Sequence, residues 1–152
     1  MDRSLIQQAL HAVDVDRLVL GIHDASFPGA EDEDLGRGSP YSRTAERFLT
    51  FVAQIGFNGI QFGPQGVTHR GSASPYEATL FSRSPMSLPV RDLVDRGLLS
   101  AETLDRLLTA RPAGALSRMP YAFAFDAYEA IVDEMGQRYR ARRQPYAESL
   151  RR

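Results

Sequence analysis

The strongest constraint on fold is the succession "RLVLGIHD", "SRTAERFLTFVAQIGF" and "FNGIQFGPQG" between Arg17 and Gly66. Leu18, Val19, Leu20 and Ile22 form a short apolar run, the pattern of a strand buried on both faces, and Gly21 admits a neighbouring backbone. In the second stretch Ala45, Phe48, Leu49, Val52 and Ile55 recur at helical spacing. Ser42 is placed to cap that helix, Glu46 lies in its first turns, and Gly56 is placed to end it in the left-handed conformation. Asn58 to Phe62 reads as a second strand, stopped by Gly63 and Pro64. Strand, loop, helix, strand is the order of a parallel βαβ unit with a right-handed crossover. The expected class is therefore α/β.

Flanking segments read as helix and loop. Leu5, Ile6, Ala9, Leu10 and Val13 predict a leading helix within residues 1–16. From Asp24 to Ser42 the chain is Gly, Pro, Ser and acid without period, a long loop of the kind that often carries function. Beyond Leu88, "VRDLVDRGLLSAETLDRLL" predicts two short helices broken at Gly97, with Ser100 capping the second. After the breaks at Pro112, Gly114 and Pro120, a longer amphipathic helix carries Phe125, Tyr128, Ile131, Val132, Met135 and Tyr139 on one side. The chain thus divides into a leading helix (1–16), a βα region (17–88) and a helical segment (89–152).

Charge and composition exclude several function classes. With 43% hydrophobic residues, the 152-residue chain can build a core, but its net charge of −1 provides no cationic excess for a phosphate backbone. Nucleic acid is not expected as a partner. Every basic residue is Arg, and Arg138, Arg140, Arg142, Arg143, Arg151 and Arg152 crowd the C-terminus, where cations favour the negative pole of a helix. The absence of Cys removes disulfides and thiolate chemistry and suits a reducing compartment. "MDRSLIQQALHAVDVDR" mixes acid with base and has no long apolar run, so neither export nor a membrane partner is expected, and the expected location is cytoplasmic.

Few residues offer chemistry by spacing alone. Glu31, Asp32, Glu33 and Asp34 are adjacent acids in a Gly-rich loop, expected to be solvated rather than split in pKa for acid–base work. His23, Asp24 and Ser26 are the residue types of a hydrolase triad but stand too close in sequence to converge. His11, His23 and His69 lack the spacing of metal ligands, and "GPQG" lacks the Lys and Ser/Thr of a phosphate loop. No cofactor or metal is expected. In "SASPYEATLFSRSPMSL", Pro75 restricts the backbone of Ser74 and helps to fix Tyr76. That ring is either packed on its neighbours or offered to a ligand.

The order of short motifs goes further. "GIHDASFPG" (21–29), "DLG" (34–36), "FLTFVAQIGFNGIQFGPQG" (48–66), "SPYEATLFSRSPMSL" (74–88) and "LVDRGLLS" (93–100) together resemble the start of the 4-α-glucanotransferases, the amylomaltases or disproportionating enzymes. Phe57, Asn58 and Gln61 stand where that family has Trp, Gln and Pro, and Ser84 stands where it has Asn. The resemblance implies the opening βα units of a TIM-type (β/α)8 barrel, incomplete in this chain, followed by a mostly helical inserted segment. It implies a retaining transfer of α-1,4-glucan segments between maltooligosaccharides, in glycogen, starch or maltodextrin metabolism, using two carboxyl groups about 5 Å apart.

In the family those carboxylates lie on later strands. No catalytic residue is therefore assigned, and Asp34, Glu77 and Asp126 are not given that role. The substrate-binding residues implied are Tyr76, facing the sugar, with Ser74 beside it and His23 and Asp24 at the neighbouring strand end. The alternative is a non-catalytic protein of the same descent that binds glucan or a partner. Opening strands alone leave an edge and an apolar face uncovered, and Phe125, Ile131, Val132 and Met135 form a further stripe in need of a partner, so self-association is expected.

Overall fold

The computed structural model describes residues 3–115 and 118–149, with side chains over 5–115 and 118–142. The expected βαβ unit is present. Strand β1 (Val19–Gly21) pairs in parallel with β2 (Gly59–Gln61), Val19 opposite Gly59 and Leu20 opposite Ile60, and helix α2 (Arg43–Gln54) lies between them in the chain. Helix α1 (Arg3–Ala12) precedes it. Ser42 Oγ accepts the Ala45 N–H at 3.2 Å, and Gly56 follows α2 with φ +100°, so both helix signals operate as the residues suggest. A side chain at Gly56 would also collide with Ile6 of α1.

The strands are short and not buried on both faces. Val19 is 43% exposed, and Leu20 and Ile60 are half-buried. A two-stranded ladder has no third strand to cover its edges, so the apolar run of β1 is only partly withdrawn from water. Asn58 compensates at the open end: its side chain accepts the Leu18 N–H at 2.9 Å and donates to Asp16 O at 2.7 Å. The side of the unit toward α2 is organised by Phe27. This buried ring meets Phe48 of α2 and Phe62 edge-on, with centroids 5.5 and 5.6 Å apart.

The main core lies instead among the helices. Helices α3 (Val90–Asp95), α4 (Ala101–Ala110) and α5 (Tyr121–Ser149) enclose Val90, Leu99, Leu104 and Ile131, joined by Leu35 and Met86 from earlier in the chain. The segments on either side of residue 88 therefore share one core. Ser100 caps α4, with Thr103 N–H donating to its Oγ at 3.2 Å, and Gly97 turns the chain at φ +64°. The α5 stripe finds a partner in this core. Tyr128 and Ile131 are buried, Phe125 and Met135 pack against them, and Val132 remains 41% exposed. Burial pushes the Tyr128 hydroxyl pKa far upward, and that hydroxyl donates to Leu88 O at 3.2 Å.

The acidic loop is not uniformly solvated. Glu31 and Asp32 are exposed, but residues 33–40 are all buried, drawn in by Leu35, which has no exposed surface. A buried loop must satisfy its backbone. Arg111 does so by donating to Asp34 O at 2.5 Å and Glu31 O at 3.1 Å, and Arg91 by donating to Asp32 O at 2.6 Å. Burial, with help from the Asp32 charge, raises the Glu33 pKa. Burial also raises that of Asp34, against the hydrogen bonds from the Gly36 and Arg37 N–H groups.

Glu33 Oε2 has no hydrogen-bond partner among the described residues. A carboxyl raised in the folded state costs stability once it is ionised, so Glu33→Gln should raise the melting temperature at neutral pH. The gain should vanish as pH falls through the raised pKa, where the native side chain is already neutral. Melting curves that show the same difference at pH 7 and in acid would contradict this.

Candidate functional site

β1 runs straight into Ile22, His23 and a 3-10 turn at Asp24–Ser26, and β2 runs into Phe62, Gly63 and Pro64. His23 and Gly63 therefore meet at the C-terminal edge of the parallel pair, where ligands of such sheets bind. A Cβ on Gly63 would lie 1.9 Å from His23 Nδ1, so only glycine lets the imidazole rest there. His23 Nδ1 is buried and has no hydrogen-bond partner among the described residues.

Tyr76 lies in a second 3-10 turn, Pro75–Glu77, and is brought to the same edge. Its ring stands edge-on to His23, with centroids 5.8 Å apart and planes at 88°, yet 76% of the residue is exposed. The turn is held by pairing between 65–67 and 79–84. Thr79 N–H donates to Val67 O at 2.9 Å, Ser84 N–H to Gln65 O at 2.9 Å, and Arg83 to Gln65 Oε1 at 2.7 Å. Between these segments is an open groove of about 460 Å³ lined by Pro64, Gln65, Tyr76, Leu80, Phe81 and Arg83. Behind it a smaller recess of about 180 Å³ is lined by His23, Asp24, Arg37, Thr68 and Tyr121, and Pro64, Gln65, Gly66 and Pro75 border both.

The other two predicted site residues are placed differently. Ser74 is half-buried and borders neither space; its N–H donates to Ser72 Oγ at 3.3 Å and its carbonyl accepts the Glu77 N–H at 3.2 Å. Asp24 borders the recess but is almost fully buried. Its Oδ2 accepts from Arg37 Nη2 at 2.8 Å and from Ser87 Oγ at 2.6 Å. Arg37 Nη1 also donates to Met86 O at 2.8 Å, and Ser39 Oγ donates to Ser87 O. One polar knot thus ties the end of β1, the buried loop and the Pro85–Ser87 turn together. Burial alone would raise the Asp24 pKa, but the hydrogen bond from Ser87 and the charge and hydrogen bond of Arg37 outweigh it, leaving it below the ordinary value.

Sequence reasoning missed Arg37 and Ser87. The one available signal was a lone arginine among small residues in "GRGSP", which suits a side chain turned inward. The remaining acids stay apart. Asp34 accepts the Gly36 N–H at 2.7 Å in its own turn, Glu77 is exposed with His69 Nε2 at 3.9 Å, and Asp126 forms a two-pronged bond with Arg70 at 2.6 and 2.7 Å. Among the described residues no three of His, Asp and Glu converge as metal ligands, and no helix is long and apolar enough to cross a membrane.

Compared with models of protein families, with curated proteins and with solved structures, the chain matches none. The fold itself is a mixed helical protein with a small two-stranded parallel sheet.

Proposed function

We propose that the Tyr76 edge binds α-1,4-glucan, and that the chain is the N-terminal part of a cytoplasmic 4-α-glucanotransferase that moves glucan segments between maltooligosaccharides by a retaining mechanism. The observation that carries this reading is Tyr76 itself, an aromatic ring left mostly in solvent and set edge-on against His23 beside the strand ends. A pyranose has a C–H-rich face that stacks on such a ring, while the phenol hydroxyl remains free to hydrogen-bond the sugar. His23 stiffens the ring from one side. Asp24, being buried, acts by holding the turn that presents His23, not by touching the sugar. The motif order supports the family side of the proposal, with these residues forming the opening βα units of a TIM-type barrel. In that arrangement the two catalytic carboxyl groups belong to strands outside these residues, and the reaction needs no cofactor.

A second reading has one observation in its favour. The helical core from Leu35 to Ile131 is closed by residues of this chain, which suits a non-catalytic protein that binds glucan, or a partner, through the same edge.

Calorimetric titration with maltoheptaose tests the shared claim. Tyr76→Ala should weaken binding by about 1–2 kcal/mol, roughly five- to thirtyfold, the scale of one good aromatic contact. Equal affinity in the variant would remove Tyr76 from the site. The chain alone should release no glucose from maltotriose above background. Release that disappears on replacing one of its own acids would place the catalytic carboxylates here instead.

A further inference from the structure

Helix α5 is long for the core it joins. Its 29 residues span about 43 Å, yet no residue beyond Met135 belongs to the core among those described. Past that point Arg138 returns to Glu134 of the same helix at 2.7 Å, and Arg142 donates to Gly97 O at 2.9 Å. Tyr139 is 56% exposed.

The outer face of this helix has a charge order. Glu129, Asp133, Gly136 and Arg140 fall on one stripe, with Val132 and Tyr139 beside it, and the charged members are exposed. Along this stripe the acids Glu129 and Asp133 come first and the base Arg140 follows, while Arg142 is turned to the body at Gly97. Asp126 is engaged by Arg70, but neither Asp133 nor Arg140 has an ion-pair partner among the described residues. The Arg140 guanidinium lies back over Gly136, within 3.5 Å of where a Cβ would stand, so its charge sits near the middle of the stripe.

We propose that α5 pairs antiparallel with α5 of a second copy, crossing near Gly136, so that Asp133 of each faces Arg140 of the other. A parallel pair would set acid against acid and base against base, whereas the antiparallel pair opposes each acidic half to a basic half. It is also self-complementary, as a two-fold contact must be. The exposed surfaces of Val132 and Tyr139, beside the stripe, are then covered. The contact is small and charge-led, so the dimer is weak and loosened by salt. It does not depend on the glucan reading.

Light scattering on the chain at up to about 100 µM and low ionic strength should show a monomer–dimer equilibrium that shifts to monomer as salt is added. Asp133→Arg and Arg140→Asp, both at exposed positions, should keep the helical circular dichroism while each weakens dimerisation by about tenfold or more. Mixing the two variants should restore a dimer, because the arginines of one chain then face the aspartates of the other. A wild-type chain that stays monomeric throughout overturns the proposal. So does a dimer that neither variant weakens, or a mixture no more associated than its components.

Discussion

Arg37→Met is expected to destabilise the protein by about 3–5 kcal/mol, the cost of leaving one partner of a buried ion pair uncompensated. Both side chains of the pair are more than nine-tenths buried. Loss of the guanidinium leaves the Asp24 carboxylate with Ser87 Oγ as its remaining side-chain donor, and takes from Met86 O the donor that fastens the Pro85–Ser87 turn. Asp24→Asn combined with Arg37→Met should recover part of the loss, because no unpaired charge then remains inside. The pH dependence has a definite sign. Asp24 is held below its ordinary pKa, so its contribution is complete above that value and is lost as pH falls through the depressed one. The gap between wild type and Arg37→Met should therefore narrow in acid. Urea denaturation at neutral and acidic pH measures both effects; a cost under about 1 kcal/mol would mean that the knot does not hold the loops together.

Leu104→Ala should cost about 2–5 kcal/mol, the range for truncating a fully enclosed leucine. Leu104 has no exposed surface and sits among the residues of α3, α4 and α5. Phe51→Ala removes a larger side chain from α2 but should cost under about 1 kcal/mol, since Phe51 is 54% exposed. The comparison separates two locations for the core. If Phe51→Ala proved the more damaging, the weight of packing would lie in the βαβ unit.

The contrast also shows which features were legible in the sequence. Ser42, Gly56, Gly97 and Ser100 marked helix ends correctly because capping is local chemistry, settled within a turn of backbone. The parallel pairing of β1 with β2 followed from the spacing of the helix between them. Burial was less legible. The apolar run at Leu18–Leu20 suggested a strand enclosed on both faces, but enclosure depends on neighbours that a two-stranded sheet does not have. Glu33 and Asp34 were expected to be solvated with Glu31 and Asp32, the run of acids that precedes Leu35, and the arginines that bond this loop, Arg91 and Arg111, come from distant helical segments. The Asp24, Arg37 and Ser87 knot is long-range in the same way: Asp24 was singled out for its place at the strand end, not for these partners, and only the fold makes the three a unit. Tyr76 was singled out through the order of motifs, and its contact with His23 spans two turns that no local pattern connects.

Titration with maltoheptaose, followed residue by residue by NMR, decides whether this edge is a sugar site. Signals from His23, Gln65 and Tyr76 should move together and saturate, those of Leu104 and Ile131 should stay still, and the movements should be lost in Tyr76→Ala. Spectra unchanged at millimolar sugar, or shifts at His23 and Gln65 that survive at full size without the Tyr76 ring, would contradict the glucan-binding edge.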